Sequence, residues 1–229
     1  MNLAWPGWGD EPTVEGASPK TYLAELETLL RVDWPRNRTV NIVVHGHSVP
    51  AGYFETPEVR SLEAYPALLR NDLARRFPHA VINVIVTAIG GENSVAGAAR
   101  FEKDVLSHQP DLVLIDYALN DRRAGLPAAR AAWSSMIEQA QARGIAVLLL
   151  TPTPDLTAKL DDPADPLLQH AGQIRELAAE YKVGLVDSLA AFQKFTEAGG
   201  ELGTLMAQKN HPNGKGHQLV ADALAAWFP

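Results

Sequence analysis

A serine and a distant histidine are the first candidates for chemistry in this sequence. Ser48 lies where the apolar stretch VNIVVHGHSVPAGY, residues 40–53, gives way to a turn, and His211 lies near the end of the chain. A serine hydroxyl is a weak nucleophile until a base takes its proton, and an imidazole titrates close to neutral pH. The two residues make a chemically sensible nucleophile and base, although a serine in this setting can also serve only as part of a turn.

Two further histidines suggest a second kind of chemistry. His45 and His47 are two positions apart, so their side chains would point to the same side of a strand and could share a metal ion, with Asp121 and His211 nearby. Such a centre would make the protein a metal-dependent phosphoesterase. The carboxylate-rich ligand set of a hard-metal or two-metal site is not evident in the pattern. We therefore expect no bound metal and no cofactor, and we interpret His45 as packing against neighbouring loops.

Apolar runs and segments of helical periodicity alternate along the chain. We predict strands at about 39–46, 80–88, 110–119, 145–151 and 183–187, and helices at about 19–32, 61–77, 94–108, 127–143, 164–181 and 214–228. The run at 80–88 is β-branched almost throughout, which is typical of a parallel strand buried on both faces. The helix at 61–77 would begin at Ser61, with Pro66 as an early irregularity.

This alternation predicts an α/β fold. We expect a three-layer α/β/α sandwich, flavodoxin-like, with a parallel sheet of about five strands. We find no repeat or linker and predict one domain over 1–229, with an irregular N-terminal segment over about 1–20. In such a sheet, ligands bind beyond the carboxyl ends of the strands. The segments HGHS, TAIGGENS, YALND, TPTPD and VDS follow the five strands, and the loop MAQKNHPNGKGH can reach the same edge.

Four of these segments resemble, in order, the sequence blocks of the SGNH or GDSL-type serine hydrolases. The matching residues are Ser48 in GHS, Gly91 in IGGENS, Asn120 in ALND and His211 in NHPNGKGH. The resemblance covers about residues 40–225 and implies that Ser48 attacks the substrate while His211 acts first as base and then as acid. It also implies an oxyanion hole formed by the backbone N–H groups of Ser48 and Gly91 and the side-chain amide of Asn120.

The chain departs from that family at two positions. His47 replaces the aspartate that usually precedes the serine, and Gln208 replaces the aspartate that usually stands three residues before the catalytic histidine. Gln208 could still orient His211 by accepting a hydrogen bond through its amide oxygen, which would leave a catalytic dyad. Alternatively, an acid from another strand end partners the histidine. The candidates for this acid are Asp187, Asp121 and Glu92.

Further residues near the predicted site have two readings each. Asp187 could instead cap the helix that follows it. Arg122 and Arg123 would suit an acidic substrate group, but a surface ion pair with nearby acids is the simpler interpretation. We expect the His47 ring to be neutral at pH 7. His47, Glu92 and Asp121 are possible substrate contacts.

Trp5, Trp8 and Trp34 could stack on a sugar or pin the N-terminal segment, and His217 is expected on the last helix without a catalytic role.

Composition excludes several classes of protein. The formal net charge is −7 over 229 residues, whereas a nucleic-acid-binding protein needs a basic surface. There is no cysteine, which excludes disulfides, thiolate metal sites and a cysteine nucleophile. No run approaches the roughly 18 apolar residues of a membrane span, and the N-terminal residues lack the features of a signal peptide. We expect a soluble protein, cytoplasmic if the chain is complete and secreted or periplasmic if a leader was removed.

The residues and the resemblance together predict a serine esterase that works through an acyl-enzyme. The resemblance implies that the substrate carries a small acyl group, such as acetyl, on a carbohydrate. Because both of the usual aspartates are absent, an alternative is a catalytically degenerate relative that binds a glycan without turning it over. The metal-dependent phosphoesterase is the third hypothesis.

Overall fold

A five-stranded parallel sheet forms the centre of the computed structural model, which describes residues 16–228. The strands are β1 (Thr39–Gly46), β2 (Val81–Val86), β3 (Leu112–Asp116), β4 (Ala146–Leu150) and β5 (Gly184–Val186). Their order across the sheet is β2-β1-β3-β4-β5, and every neighbouring pair is parallel. This is the flavodoxin-like order, so the predicted α/β fold is confirmed.

Helices cover both faces of the sheet. They are α1 (Ala24–Leu30), α2 (Ser48–Ala51), α3 (Tyr65–Arg76), α4 (Ser94–Asp104), α5 (Ala118–Asp121), α6 (Leu126–Gln141), α7 (Pro166–Glu180), α8 (Ser188–Glu197) and α9 (Gly214–Ala225). A small hairpin of β6 (Met206–Gln208) and β7 (His211–Pro212) precedes α9. Among residues 16–228, no helix is both long and apolar enough to cross a bilayer.

Alternate side chains of the inner strands face opposite layers. On β1, Ile42 and Val44 join an apolar cluster with α1, α3, α8 and α9, whereas Val43 joins a second cluster with α4 and α6. Strands β3 and β4 divide their residues in the same way, because successive side chains of a strand point to opposite faces. The two clusters are the cores of the predicted three-layer sandwich.

The second strand departs from the prediction. β2 lies at the edge of the sheet and pairs only with β1, and its Val81 and Val86 side chains are 50% and 44% exposed. The expectation of burial on both faces is therefore wrong. Stiff β-branched residues favour an extended backbone in edge and central strands alike, so their presence did not reveal the position of this strand.

Several helix boundaries also differ. α3 begins at Tyr65 and not at Ser61, because Pro66 occupies the first turn, where the missing N–H needs no partner. The strand predicted at 110–119 ends at Asp116, and α5 follows it. α1 is shorter than the predicted helix at 19–32, and Trp34, which follows it, is 82% exposed. Trp5, Trp8 and most of the predicted irregular segment lie outside the described residues.

Candidate active site

Ser48 stands in the first turn after β1. The His47 N–H donates to the Asp116 carbonyl at 3.2 Å, which joins this turn to the end of β3. A Cβ at Gly46 would lie 2.5 Å from the same carbonyl oxygen, so glycine is needed for the approach. α2 begins at Ser48, and His47 Nδ1 caps it by accepting from the Val49 N–H at 3.2 Å. The hydroxyl is thereby held at the carboxyl edge of the sheet.

His211, from the small hairpin, lies against this serine. Its Nε2 is 2.9 Å from Ser48 Oγ, and its Nδ1 is 2.9 Å from the carbonyl oxygen of Phe54. Because a carbonyl only accepts hydrogen bonds, Nδ1 carries the ring proton in this arrangement. Nε2 is then an unprotonated acceptor aimed at the hydroxyl, which is what a general base requires.

The surroundings of His211 favour its neutral form. Burial lowers the pKa of His211 below its ordinary value, and the nearby His47 acts in the same direction. The hydrogen bond to the Phe54 carbonyl opposes this shift by favouring the charged ring. The lowered pKa leaves the imidazole ready to accept a proton at neutral pH.

Gln208 also contacts His211, through its amide nitrogen and not through the predicted oxygen. Its Oε1 accepts from the Thr56 N–H at 3.1 Å. Nε2 therefore faces His211 Nδ1 at 2.7 Å, and its hydrogens have acceptors in Asn210 Oδ1 and Thr56 Oγ1. The amide oxygen is already used, and the Phe54 carbonyl takes the ring proton instead.

The loop after β2 brings Gly91 to the same edge. The Ile89 N–H donates to the Gly46 carbonyl at 3.0 Å, and a turn closed from the Glu92 N–H to the Ile89 carbonyl at 3.2 Å contains Gly91 at a φ of 79°. This conformation favours glycine. Within residues 16–228, the backbone N–H groups of Ser48 and Gly91 have no protein acceptor, so both can donate to a bound anion.

Asn120 connects the loop after β3 to the loop after β2. Its Nδ2 donates to the Glu92 carbonyl at 2.9 Å, which leaves the second amide hydrogen for another acceptor. The backbone bonds described above already join the first turn to each of these two loops. The three loops that carry the serine, the glycine and the asparagine are therefore all tied to one another.

Comparison with known families agrees with this arrangement. The model of the GDSL-like lipase/acylhydrolase family matches residues 44–219, which include all four of these residues. The chain belongs to this family. Lipases and acylhydrolases cleave carboxylic esters, so the protein is a carboxylic ester hydrolase of the SGNH or GDSL type. No curated protein sequence matches the chain.

Solved structures with the same fold include esterases of acetylated polysaccharides. Axe2, an acetylxylan esterase from Geobacillus stearothermophilus, matches with a TM-score of 0.73 and 23% identity over 82% of this chain and 94% of that one. CEX, a two-domain esterase active on acetylated mannans, matches with a TM-score of 0.73 and 23% identity over 90% of this chain and 52% of that one. At these identities the likeness concerns the fold.

Glu92 anchors the glycine loop of this GDSL-type hydrolase. Its carboxylate accepts from Arg100 Nε at 2.9 Å and from the Tyr117 hydroxyl at 2.8 Å, and its side chain is only 10% exposed. These contacts use both carboxylate oxygens. The predicted roles of Glu92 as a substrate contact or as the acid that partners His211 therefore find no support in the geometry.

The two aspartates predicted near the site are also engaged elsewhere. Asp121 is fully buried, and its two oxygens accept from the Ser94 N–H and from Trp133 Nε1, both at 2.7 Å. Asp187 caps α8 and forms an ion pair with Arg175 at 2.7 Å. Asp121 is therefore not a substrate contact, and neither aspartate orients His211. The alternative reading of Asp187, as a helix cap, describes its position.

The two histidines of the HGH segment have separate surroundings. His45 Nδ1 lies 2.8 Å from Thr87 Oγ1 and Nε2 lies 3.1 Å from the Gly97 carbonyl, and burial lowers the pKa of His45 to about 4. The His47 ring is fully buried, caps α2 through Nδ1 and places Nε2 3.4 Å from Asp116 Oδ1. His47 is thus not a substrate contact. Residues 16–228 contain no cluster of three or more potential metal-ligating side chains.

Two residues of the site, Phe54 and Tyr53, are absent from the sequence predictions. Phe54 contributes its backbone carbonyl, which no residue type signals. The ring of Tyr53 lies 5.9 Å from that of His211. His217, predicted on the last helix without a catalytic role, stacks on Phe54 at 5.6 Å, accepts from the Tyr65 N–H at 3.3 Å, and has its pKa lowered to about 4 by burial. His217 thus packs against the Phe54 ring.

Proposed function

We propose that this ester hydrolase is a serine esterase that removes acetyl groups from a carbohydrate, and that the whole chain forms one catalytic domain. The observation that carries the proposal is the 2.9 Å contact between His211 Nε2 and Ser48 Oγ, with the Nδ1 proton directed to the Phe54 carbonyl. The fold matches to Axe2 and CEX, which act on acetylated xylan and acetylated mannans, support the carbohydrate.

The proposed reaction has two halves. In the first, Ser48 Oγ attacks the ester carbonyl carbon while His211 Nε2 takes the hydroxyl proton, and the N–H groups of Ser48, Gly91 and Asn120 stabilise the oxyanion. His211 then protonates the sugar oxygen, which leaves as an alcohol and yields an acetyl-serine. In the second half, His211 takes a proton from water as the water oxygen attacks the acetyl carbon. His211 then returns this proton to Ser48 Oγ as the acyl C–O bond breaks, which releases acetic acid and the free serine.

The imidazolium that forms in each half has an unusual partner. Its Nδ1–H points to the Phe54 carbonyl, a neutral dipole, where serine hydrolases commonly place a carboxylate. The carbonyl fixes the orientation and tautomer of the ring but stabilises its positive charge less than a carboxylate would. We therefore propose a catalytic dyad whose histidine is oriented by a backbone carbonyl. Such a dyad is active, but its kcat should be lower than that of an enzyme with a carboxylate in this position.

The crowding around the serine supports a small acyl group. The Tyr53 ring packs so closely against Gly90 that a Cβ there would lie 3.1 Å from it, and the same ring borders His211. Ser48 itself is only 7% exposed. We expect p-nitrophenyl acetate to be hydrolysed faster than the corresponding octanoate, and the opposite preference would contradict the acetyl assignment.

The decisive experiment combines labelling with kinetics. A fluorophosphonate should modify Ser48, as located by peptide mass spectrometry, and Ser48→Ala and His211→Ala should each lower kcat on acetylated xylo-oligosaccharides by about 10⁴-fold or more. Ser107→Ala and His108→Ala, at exposed positions between α4 and β3, serve as matched controls and should keep full activity. Undiminished turnover by Ser48→Ala would refute the proposal, and oligosaccharide binding without turnover by the unaltered protein would favour the degenerate binding protein.

A further inference from the structure

A cavity of about 370 Å³ adjoins the proposed active site. Its lining includes Asn120, of the proposed oxyanion hole, and Asn210, the residue before His211. Sites for small molecules have volumes of roughly 300–1,000 Å³, so the cavity can hold a sugar unit. Because it shares Asn120 with the oxyanion hole, it is the space into which a substrate would extend beyond the scissile ester.

Positive charge dominates the wall of this cavity. Its lining includes the cations Arg122, Arg123 and Lys209, whereas Asp155 is the one carboxylate among the lining residues. The chain as a whole carries a formal net charge of −7, so an excess of cations here runs against the overall balance. A local positive field in a concave site concentrates anions.

One of the three cations is already compensated. Arg122 Nη2 lies 2.5 Å from Asp155 Oδ2, and its Nε donates to the Leu119 carbonyl at 3.0 Å. Asp155 is held in turn by the Thr157 N–H at 2.8 Å. Arg122 and Asp155 thus form a rigid, nearly neutral wall. The pair differs from the expected surface ion pair, because the Asp155 side chain is only 5% exposed and Arg123 takes no part in it.

Among the residues that the structure describes, the other two cations have no acidic partner. Within residues 16–228, neither Arg123 nor Lys209 has a carboxylate within 4.0 Å, although both line the same cavity. The Leu156 N–H donates to the Lys209 carbonyl at 2.7 Å, which fixes the backbone of Lys209 against the loop after β4. Two free positive charges therefore approach one cavity from separate loops.

We propose that this cavity is a subsite for an anionic sugar, so that the substrate is an acetylated saccharide bearing a carboxylate, such as a uronic acid unit. The inference rests on the proposed function and names the substrate class of that site. An arginine guanidinium binds a carboxylate through two parallel hydrogen bonds, and a lysine adds a point charge. Thr157 and Asn210 supply polar groups for the sugar hydroxyls.

The test compares two acetylated oligosaccharides that differ only in charge. One carries a uronic acid carboxylate next to the acetylated unit, and in the other that carboxyl group is reduced to the alcohol. We expect kcat/KM to be about tenfold higher for the charged compound at low ionic strength, and this ratio to fall toward one as salt is added. A ratio of one or less in the unaltered protein would overturn the subsite.

The same ratio measured in variants locates the subsite. Because folding and chemistry affect both substrates alike, the ratio reports only on charge recognition. The double variant Arg123→Gln, Lys209→Gln should bring the ratio close to one, and Arg123→Glu should bring it below one. Lys103→Gln, which removes an exposed cation from α4, should keep the original ratio. An unchanged ratio in the double variant would overturn the assignment of these two residues.

Binding separates this inference from the proposed function. The Ser48→Ala protein should bind the charged oligosaccharide about tenfold more tightly than the reduced one by calorimetry, without any turnover. If the unaltered protein hydrolyses both compounds at equal rates and this binding preference is absent, the subsite is wrong and the esterase stands. If neither compound is hydrolysed while the binding preference persists, the esterase is wrong and the anion site stands.

Discussion

The nucleophile and the base of the proposed active site are held by different kinds of contact. On the nucleophile side, backbone hydrogen bonds join the turn at Ser48 to the loops after β2 and β3. On the base side, His211 lies between one backbone carbonyl and the side-chain amide of Gln208. The backbone bonds of the first arrangement do not themselves involve side-chain atoms, whereas the second includes a side-chain group that a single substitution can exchange.

Because of this difference, substitutions on the two sides should have different effects. A change on the nucleophile side disturbs the packing of three loops at once, so it should cost activity or stability. A change at Gln208 alters the charge and hydrogen bonding beside the imidazole while the loops stay in place, so it should move the pH dependence.

Asn120→Ala should have the largest effect. It removes a donor to the oxyanion and also the bond to the Glu92 carbonyl, and the loss of one such donor typically lowers kcat by about 10²–10³-fold. Steady-state kinetics on p-nitrophenyl acetate should show the fall mainly in kcat. Asn83→Ala, at a surface position on β2, is the control. Equal kcat values for the two variants would remove Asn120 from the oxyanion hole.

Gly46→Ala should weaken the fold through the nucleophile side. The added Cβ would lie 2.5 Å from the Asp116 carbonyl and 2.7 Å from Pro50 Cγ, so the turn must shift, and we expect a loss of about 2–3 kcal/mol in the free energy of unfolding. Gly172→Ala, inside α7 with no atom within 4 Å of the new Cβ, should instead stabilise by up to about 1 kcal/mol. Urea denaturation measures both, and similar values would contradict the close packing at Gly46.

Gln208→Glu should act on the base side alone. The carboxylate would accept the His211 Nδ1 proton where the amide nitrogen now stands, and this should raise the pKa of His211 and increase kcat by about tenfold. The acid limb of the kcat/KM profile would move to higher pH. Gln169→Glu adds the same charge at an exposed position of α7 and should leave the profile unchanged. A lower kcat in Gln208→Glu would mean that the amide is the better partner.

The pH profile of the unaltered enzyme offers the mildest test. Burial lowers the pKa of His211, and the base works only when it is unprotonated. Activity should therefore persist as the pH falls through 6.5, the ordinary histidine value, and disappear only below it. A half-maximal kcat/KM above pH 6.5 would show that the charged form of His211 is favoured, contrary to its burial.

The positions of the proposed oxyanion donors could be predicted from the sequence, because each of these residues lies shortly after the carboxyl end of a strand. Runs such as 39–46 and 145–151 are apolar enough to define inner strands, and the fold then brings the residues after them to one edge. Ser48, Gly91 and Asn120 follow from that rule together with the family resemblance. The edge position of β2 does not follow, because its β-branched residues suit both kinds of strand.

The orienting partner of His211 could not be predicted, for a physical reason. Every residue has a carbonyl, so the role of Phe54 depends only on the path of the chain, which the residue type does not encode. Asp187 follows a strand end like the other candidates, but Arg175, twelve residues earlier on α7, forms an ion pair with it, and the sequence does not reveal this contact. The use of the Gln208 oxygen by the Thr56 N–H likewise depends on a contact 152 residues apart along the chain.

His47 and Asp116 leave room for only one buried carboxylate between them. The His47 ring lies 3.4 Å from Asp116 Oδ1, and the two residues are 0% and 2% exposed. An aspartate at position 47, which the family resemblance would lead one to expect, would bury two carboxylates side by side, and this arrangement is unfavourable. The residue types at positions 47 and 116 are therefore coupled, and His47→Asp should be tolerated better together with Asp116→Asn than alone.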